Sequence, residues 1–238
     1  MKSNRFGPAS ASLSLALVAA ALGTGCMTAP SLDLSPAFEP PPVRTPVAPR
    51  GRSALVGTWK GSSVSDTVRP QVRTVRHSHR LYEFRADGTF RTEVRSTNDM
   101  QIVSGIAKVR QTFESPAIVV TGTWEYDGGT LKTVSYNETL KKALEGKSKV
   151  VWYGDDEIEF LADEETLEKA VEAGRQAGRA ALGTSGRSVP DVQTFSKRTR
   201  DERGVTTLTI VATVDGKPSG EPTTTLISPE ICSRVRDD

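Results

Sequence analysis

From Leu55 onward, apolar and polar residues alternate in short runs broken by Gly, Asp and Pro, which is the pattern of half-buried strands. Gly57-Thr58-Trp59 opens the first run. The same order of Gly, Thr and a large apolar residue returns at Gly88-Thr89-Phe90, Gly122-Thr123-Trp124 and Gly129-Thr130-Leu131. A glycine that lets the chain turn, a β-branched residue and then a bulky side chain predict strands that start from tight turns and push their large residues inward. Trp59 is the expected anchor of the first strand.

In chain order, Ser62 to Val68 reads as a polar turn region, and an alternating segment follows to Ala86. Parity places Arg76, Ser78, Arg80, Tyr82 and Phe84 on one face and Val75, His77, His79, Leu81 and Glu83 on the other, with the aromatic pair marking the first as inner. Ala86-Asp87-Gly88-Thr89 predicts a hairpin turn, and the return strand carries Phe90 and Val94 inward. Further strands are expected over 102–113 and 117–126, the second with Ile118, Val120, Trp124 and Tyr126 on one face; Asp127-Gly128-Gly129 then turns into a strand to Asn137. Val150–Tyr153, Ile158–Leu161, Val192–Thr199, Val205–Val214 and Pro222–Ile227 bring the set to about ten. Residues 163–182 carry the helical period: Asp163 as N-cap, Glu164 and Glu165 in the first turn, Arg175 and Arg179 toward the end, Gly183 as stop. Small residues dominate its apolar stripe, which suits close packing on the sheet.

The Gly57-Thr58-Trp59 strand, the Tyr82/Phe84 strand with its Asp87-Gly88-Thr89-Phe90 turn, and the middle hairpin from Gly122 to Leu131 together resemble bacterial lipocalin-like domains over residues 54–161. The resemblance implies a mainly β fold, an antiparallel up-and-down barrel of about eight to ten strands with one inserted α-helix. It implies that Trp59 closes one end under an Arg from the end of the barrel, for which Arg198 and Arg234 are the candidates, and that function lies at the opposite end.

Ahead of this domain, Lys2 and Arg5 precede an apolar stretch from Leu13 to Leu22, the pattern of a secretory signal too short for a stable membrane span. Leu22-Gly23-Thr24-Gly25-Cys26 resembles the lipobox of bacterial lipoprotein precursors, which implies cleavage before Cys26 and a diacylglycerol on its sulfur. Cleavage after Gly23 or Ala29 by the ordinary secretory route is the alternative. From Thr28 to Arg50 the chain holds seven of its fourteen prolines and no hydrophobic period, so it reads as an extended spacer. The expected organisation is a signal over 1–25, a lipidated Cys and Pro-rich tether over 26–52, and the barrel domain over 53–238, anchored in the bacterial cell envelope, with the outer membrane the first expectation. Acylation of Cys26 leaves Cys232 without an intramolecular partner; an unmodified Cys26 leaves a Cys26–Cys232 disulfide open.

Removing residues 1–25 takes away Lys2 and Arg5 and no acid, leaving 29 basic against 29 acidic side chains. Neutrality argues against a nucleic-acid partner. His77 and His79, the only histidines, share a strand face, but no third group has the spacing to complete a metal site. No phosphate loop and no nucleophile elbow occurs, so neither an enzyme nor a cofactor is expected. Seven arginines fall between Arg69 and Arg95; most read as a solvated face interleaved with acids. Arg76 and Arg80, however, share the face of Tyr82 and Phe84, and with Tyr82, Trp124 and Tyr126 they form the candidate site for a small hydrophobic or amphiphilic ligand. A barrel filled by its own side chains points instead to a non-catalytic envelope interaction or stress-response module.

Overall fold

The computed structural model describes residues 30–137, 142–163, 165–166, 192–214, 217–218 and 221–236. They form a short helix, α1 (Arg52–Leu55), and twelve strands: β1 (Gly57–Arg69), β2 (Val72–Phe84), β3 (Thr89–Ser104), β4 (Ala107–Asp127), β5 (Thr130–Asn137), β6 (Lys142–Trp152), β7 (Glu157–Ala162), β8 (Val192–Arg200), β9 (Thr206–Val214), β10 (Lys217–Pro218), β11 (Thr223–Ile227) and β12 (Ile231–Arg234). From β1 to β7 each strand pairs antiparallel with the next. β12 lies between β7 and β1 and closes that series into a ring.

The ring closes at one end only. β12 bonds β1 at Trp59 to Gly61, whereas the far half of β1, Ser65 to Val68, pairs with β11, which leads on to β9 and β8. β11 and β12 run along the same edge of β1 in registers one residue apart, so Ser228-Pro229-Glu230 is a bulge in one long line of chain. The bulge is pinned to β1: Val64 N donates to Ser228 Oγ (2.8 Å) and Ser228 N to Val64 O (2.9 Å). β4 likewise pairs with β5 only from Gly122 to Asp127. The closed end carries the turns after β2, β4 and β6; the open end carries those after β1 and β3.

Parity in β2 fell as expected, because the inner face at the closed end is the apolar core. Trp59, Phe84, Phe90, Trp124, Tyr126, Leu131, Val150, Trp152 and Ile158 are buried there, while Leu81 on the other face is exposed. Burying a side chain of this size contributes roughly 1.5–3 kcal/mol, so this cluster is the main driving force for ring closure. Trp59 meets Trp152 edge-on at 5.9 Å, and Phe84 packs against Trp124 at 5.3 Å and Phe160 at 5.8 Å. Helix α1 covers this end with Leu55, which is fully buried.

Several expectations about the strands change, among them the one expected over Val150–Tyr153, which runs over Lys142–Trp152. Ser62 to Val68 is strand, and the turn comes later, at Pro70-Gln71. The alternation signal fails there because the inner face at that level is itself polar: Ser63, Ser78, Ser96 and Ser115 stand in one cross-strand row. Residues 102–113 straddle the β3–β4 turn, and 107–127 is one strand with an irregularity opposite Arg95, where Pro116 and Ala117 interrupt the register. Gly122 starts no strand: it sits inside β4, and a Cβ there would fall 2.9 Å from Phe90 Cε1 and on top of the Val134 carbonyl. Gly57, Gly88 and Gly129, in contrast, have φ of 131°, 87° and 89° and do mark strand starts. Finally β12, the closing strand, was not anticipated; four residues after a proline give too little pattern.

The helix expected over 163–182 lies outside the described residues except at its start, where Thr166 N donates to Asp163 Oδ1 (2.8 Å) as an N-cap requires. The Pro-rich segment from Pro30 onward does not stand away from the domain but lies against it. Arg44 pairs with Glu157 (2.5 Å), Val47 bridges to Trp152 and Arg50 pairs with Asp155.

Candidate functional site

The residues singled out for ligand binding sit at two levels of the inner face, and each has a partner within the protein. Cross-strand register sets Gly61 of β1 between Arg80 of β2 and Cys232 of β12. A Cβ at Gly61 would lie 2.6 Å from Cys232 Sγ and 3.0 Å from the Glu230 side chain, so the glycine makes the room into which Glu230 folds from the bulge. Glu230 Oε1 accepts from Tyr82 Oη (2.9 Å), and its other oxygen pairs with Arg80. Cys232 Sγ donates weakly to the same carboxylate at 3.8 Å. Glu230 escaped the sequence reading because it follows a proline outside any alternating run.

Burial shapes the titration of this cluster. It raises Tyr82 well above the ordinary tyrosine value, with the Arg80 charge pulling the other way. It pushes the Cys232 thiol up to about 12, again with Arg80 opposing. Neither group is an ionised nucleophile or base near neutral pH.

Toward the open end, Arg76 Nε donates to Asn98 Oδ1 (2.8 Å), and Asn98 Nδ2 donates to Ser115 Oγ (3.0 Å). Asn98 is 1% exposed, so Arg76 supplies one of the hydrogen bonds a buried amide requires. Trp124 and Tyr126 are buried in the core, and Trp124 also borders a recess of about 450 Å³ with Lys132, Thr133, Gly146, Lys147 and Thr166. Trp124 Nε1 donates to Arg85 O (3.1 Å) beneath the Arg52 guanidinium, and Tyr126 Oη accepts from Trp152 Nε1 (3.1 Å) in the core. Arg76, Arg80 and Tyr82 thus share a face with Trp124 and Tyr126, but the five are not brought together as one pocket.

Trp59 is fully buried at the closed end and donates from Nε1 to Leu55 O (2.9 Å). Of the two arginines considered for it, Arg234 is the one that covers the ring, at 4.4 Å, whereas Arg198 is exposed on β8.

On the outer face His77 Nε2 lies 3.9 Å from Asp99, and His79 lines a recess of about 520 Å³ with Lys60, Leu81, Arg95 and Ile231, which the candidate Arg80 also borders. Among the described residues no group of three or more His, Cys, Asp or Glu is placed to hold a metal ion. A second polar cluster is built outside the ring. Glu159 of β7 accepts from Tyr153 Oη (2.9 Å) and from Arg200 Nη2 through both oxygens (2.8 Å), which ties the β8–β9 hairpin to β7. Burial, and then the bond to Glu159, push Tyr153 up to about 12. No family model matches this sequence, and no curated protein matches it either.

Proposed function

We propose that the chain is a non-catalytic bacterial envelope lipoprotein, held to a membrane through Cys26, whose lipocalin-like barrel acts through its surface rather than by enclosing a ligand. The carrying observation is the packed core at the closed end, where Tyr82, Trp124 and Tyr126 lie. The aromatic residues that would have lined a cavity are packed on one another, with Tyr82 against Phe160 at 4.9 Å and Phe84 against Trp124 at 5.3 Å. The inward cation expected to receive a head group, Arg80, is neutralised by Glu230. A ligand entering there would have to displace a charge-assisted pair and break a packed core. The eight-membered ring of β1 to β7 and β12, and the arginine over Trp59, support the lipocalin-like reading. The signal-like N-terminus and Cys26 support the anchor.

Native mass spectrometry of the protein extracted from its own envelope tests the reading. The expected mass is that of the processed chain with its acyl groups and nothing else. A co-purifying small molecule, lost on unfolding, would return the interior to the role of a ligand site.

A further inference from the structure

The N-terminal segment is fixed to the domain at both ends of the ring. At the open end Arg73 donates to the carbonyls of Asp33 and Ser35, and Asp33 N donates to Gln101 Oε1 (3.3 Å). Arg73 is itself buried against Asp66, with Nε to Oδ1 at 2.9 Å and Nη2 to Oδ2 at 2.7 Å. At the closed end Arg44, Val47 and Arg50 hold the chain to the β6–β7 region. Residues 33–50 therefore form a strap along the domain, not a free spacer. Six residues separate Cys26 from the first fixed point at Asp33, a span of seven residue-to-residue steps. Seven such steps reach at most about 25 Å, whereas a thirteen-residue strand such as β1 is about 40 Å long. A bilayer holding Cys26 must then lie within that reach of the open end, while the tether sets no such limit on the closed end.

The open end has the chemistry of a membrane contact. Ile106 in the β3–β4 turn is 88% exposed, Val109 beyond it 54%, and Leu34, between the two strapped residues, 67%. Arg69, Lys108 and Arg110 are exposed around them. The turns are joined there, since Val103 N donates to Gln71 O (2.8 Å). Hydrogen bonds from Ser35, helped by the charges of Arg73 and Lys108, hold the Asp33 carboxyl below the usual carboxylate range, which sets Lys108 beside the strap. Apolar side chains at a tip ringed by cations are what an interfacial contact with anionic lipid needs.

We propose that this tip, Ile106 with Leu34 and Val109 among Arg69, Lys108 and Arg110, rests on an anionic bilayer surface and fixes the orientation of the domain on its membrane. The inference rests on the anchor at Cys26, and the experiment separates the two. An environment-sensitive fluorophore is attached at Ile106→Cys or, at the other end, at Gly154→Cys, where a side chain meets nothing within 4 Å. Cys232 is fully buried and stays unlabelled. The full-length acylated protein is placed in vesicles of phosphatidylglycerol and phosphatidylcholine. The label at 106 is expected to shift blue and brighten severalfold, the label at 154 to stay at its aqueous value, and Lys108→Glu with Arg110→Glu to reverse most of the change. An aqueous signal at 106, or an equal response at 154, overturns the proposal. An unmodified N-terminal peptide in the mass spectrum removes the anchor instead. The full chain with Cys26→Ala, mixed with the same vesicles at low salt, then decides the tip by itself: a blue-shifted label at 106 sustains the contact and an unchanged one ends it.

Discussion

Arg234 lies over the Trp59 ring at 4.4 Å and, from the same guanidinium, donates to Val56 O (2.9 Å) and Ala54 O. One side chain thus joins the last strand of the ring, the indole at its centre and the carbonyl end of α1. Arg234→Ala removes a largely desolvated cation–π contact and leaves two carbonyls with a partner lost, for a predicted cost of about 2–4 kcal/mol. Arg234→Lys should recover little of it, because an ammonium cannot stack and reach both carbonyls. Urea unfolding measures this, with Arg198→Ala as the control that stays within about 0.5 kcal/mol of the parent.

Glu230 is the acceptor that keeps Arg80 and Tyr82 occupied. Glu230→Ala leaves the Tyr82 hydroxyl without its partner and Arg80 without its counter-charge, and is expected to cost about 2–3 kcal/mol, tempered by the partial exposure of Arg80. Glu230→Gln retains an acceptor for Tyr82 and should cost roughly half as much. In a double-mutant cycle Arg80→Ala with Glu230→Ala should fall short of the sum of the single losses; strict additivity would mean that the pair does not act together.

Cys232 offers a test by pH. Its thiol, ordinarily near 9, is held up to about 12 by burial. Below pH 9 the thiol is protonated in both folded and unfolded chains, and the shift leaves stability unchanged. Between 9 and 12 the unfolded chain loses the proton that the folded one keeps, so the unfolded state binds fewer protons and stability falls with rising pH, by up to about 1.4 kcal/mol per unit. Cys232→Ala should flatten that alkaline loss without abolishing it, since Tyr82 is raised by burial as well. In the native protein at pH 8 the thiol should resist iodoacetamide and become reactive only on unfolding.

The closed end of the ring was legible in the sequence because there the two faces differ. Tyr82 and Phe84 alternate with His79, Leu81 and Glu83, and Trp124 and Tyr126 alternate with Thr123 and Glu125, so period two is visible. Toward the open end the inner face of β1 is polar, with Ser63, Ser65 and Thr67, and the strand from Ser62 to Arg69 is set by pairing along its two edges, which a pattern of side chains does not record. Gly122 carries the same tripeptide as Gly57 for a different reason, the close approach of β5 rather than a turn. The partners that occupy the candidate site, Glu230 and Asn98, come from a bulge and from a polar stretch, 150 and 22 residues from Arg80 and Arg76 respectively. Nothing local in the chain announces either contact.

The strap depends on Arg73, whose guanidinium serves Asp66, Asp33 and Ser35 together. Arg73→Ala would leave the Asp66 carboxylate buried without its cation, at a cost of about 3–5 kcal/mol, and instability alone would then blur any change in the strap. Replacing both partners, Asp66→Asn with Arg73→Met, removes the buried charge while still depriving the strap of its donor. That double variant should regain most of the lost stability and yet be cut by trypsin after Arg44 and Arg50 at protease levels that leave the parent intact. Resistance equal to the parent would show that the closed-end contacts of Arg44, Val47 and Arg50 hold the segment unaided, and that Arg73 serves only Asp66.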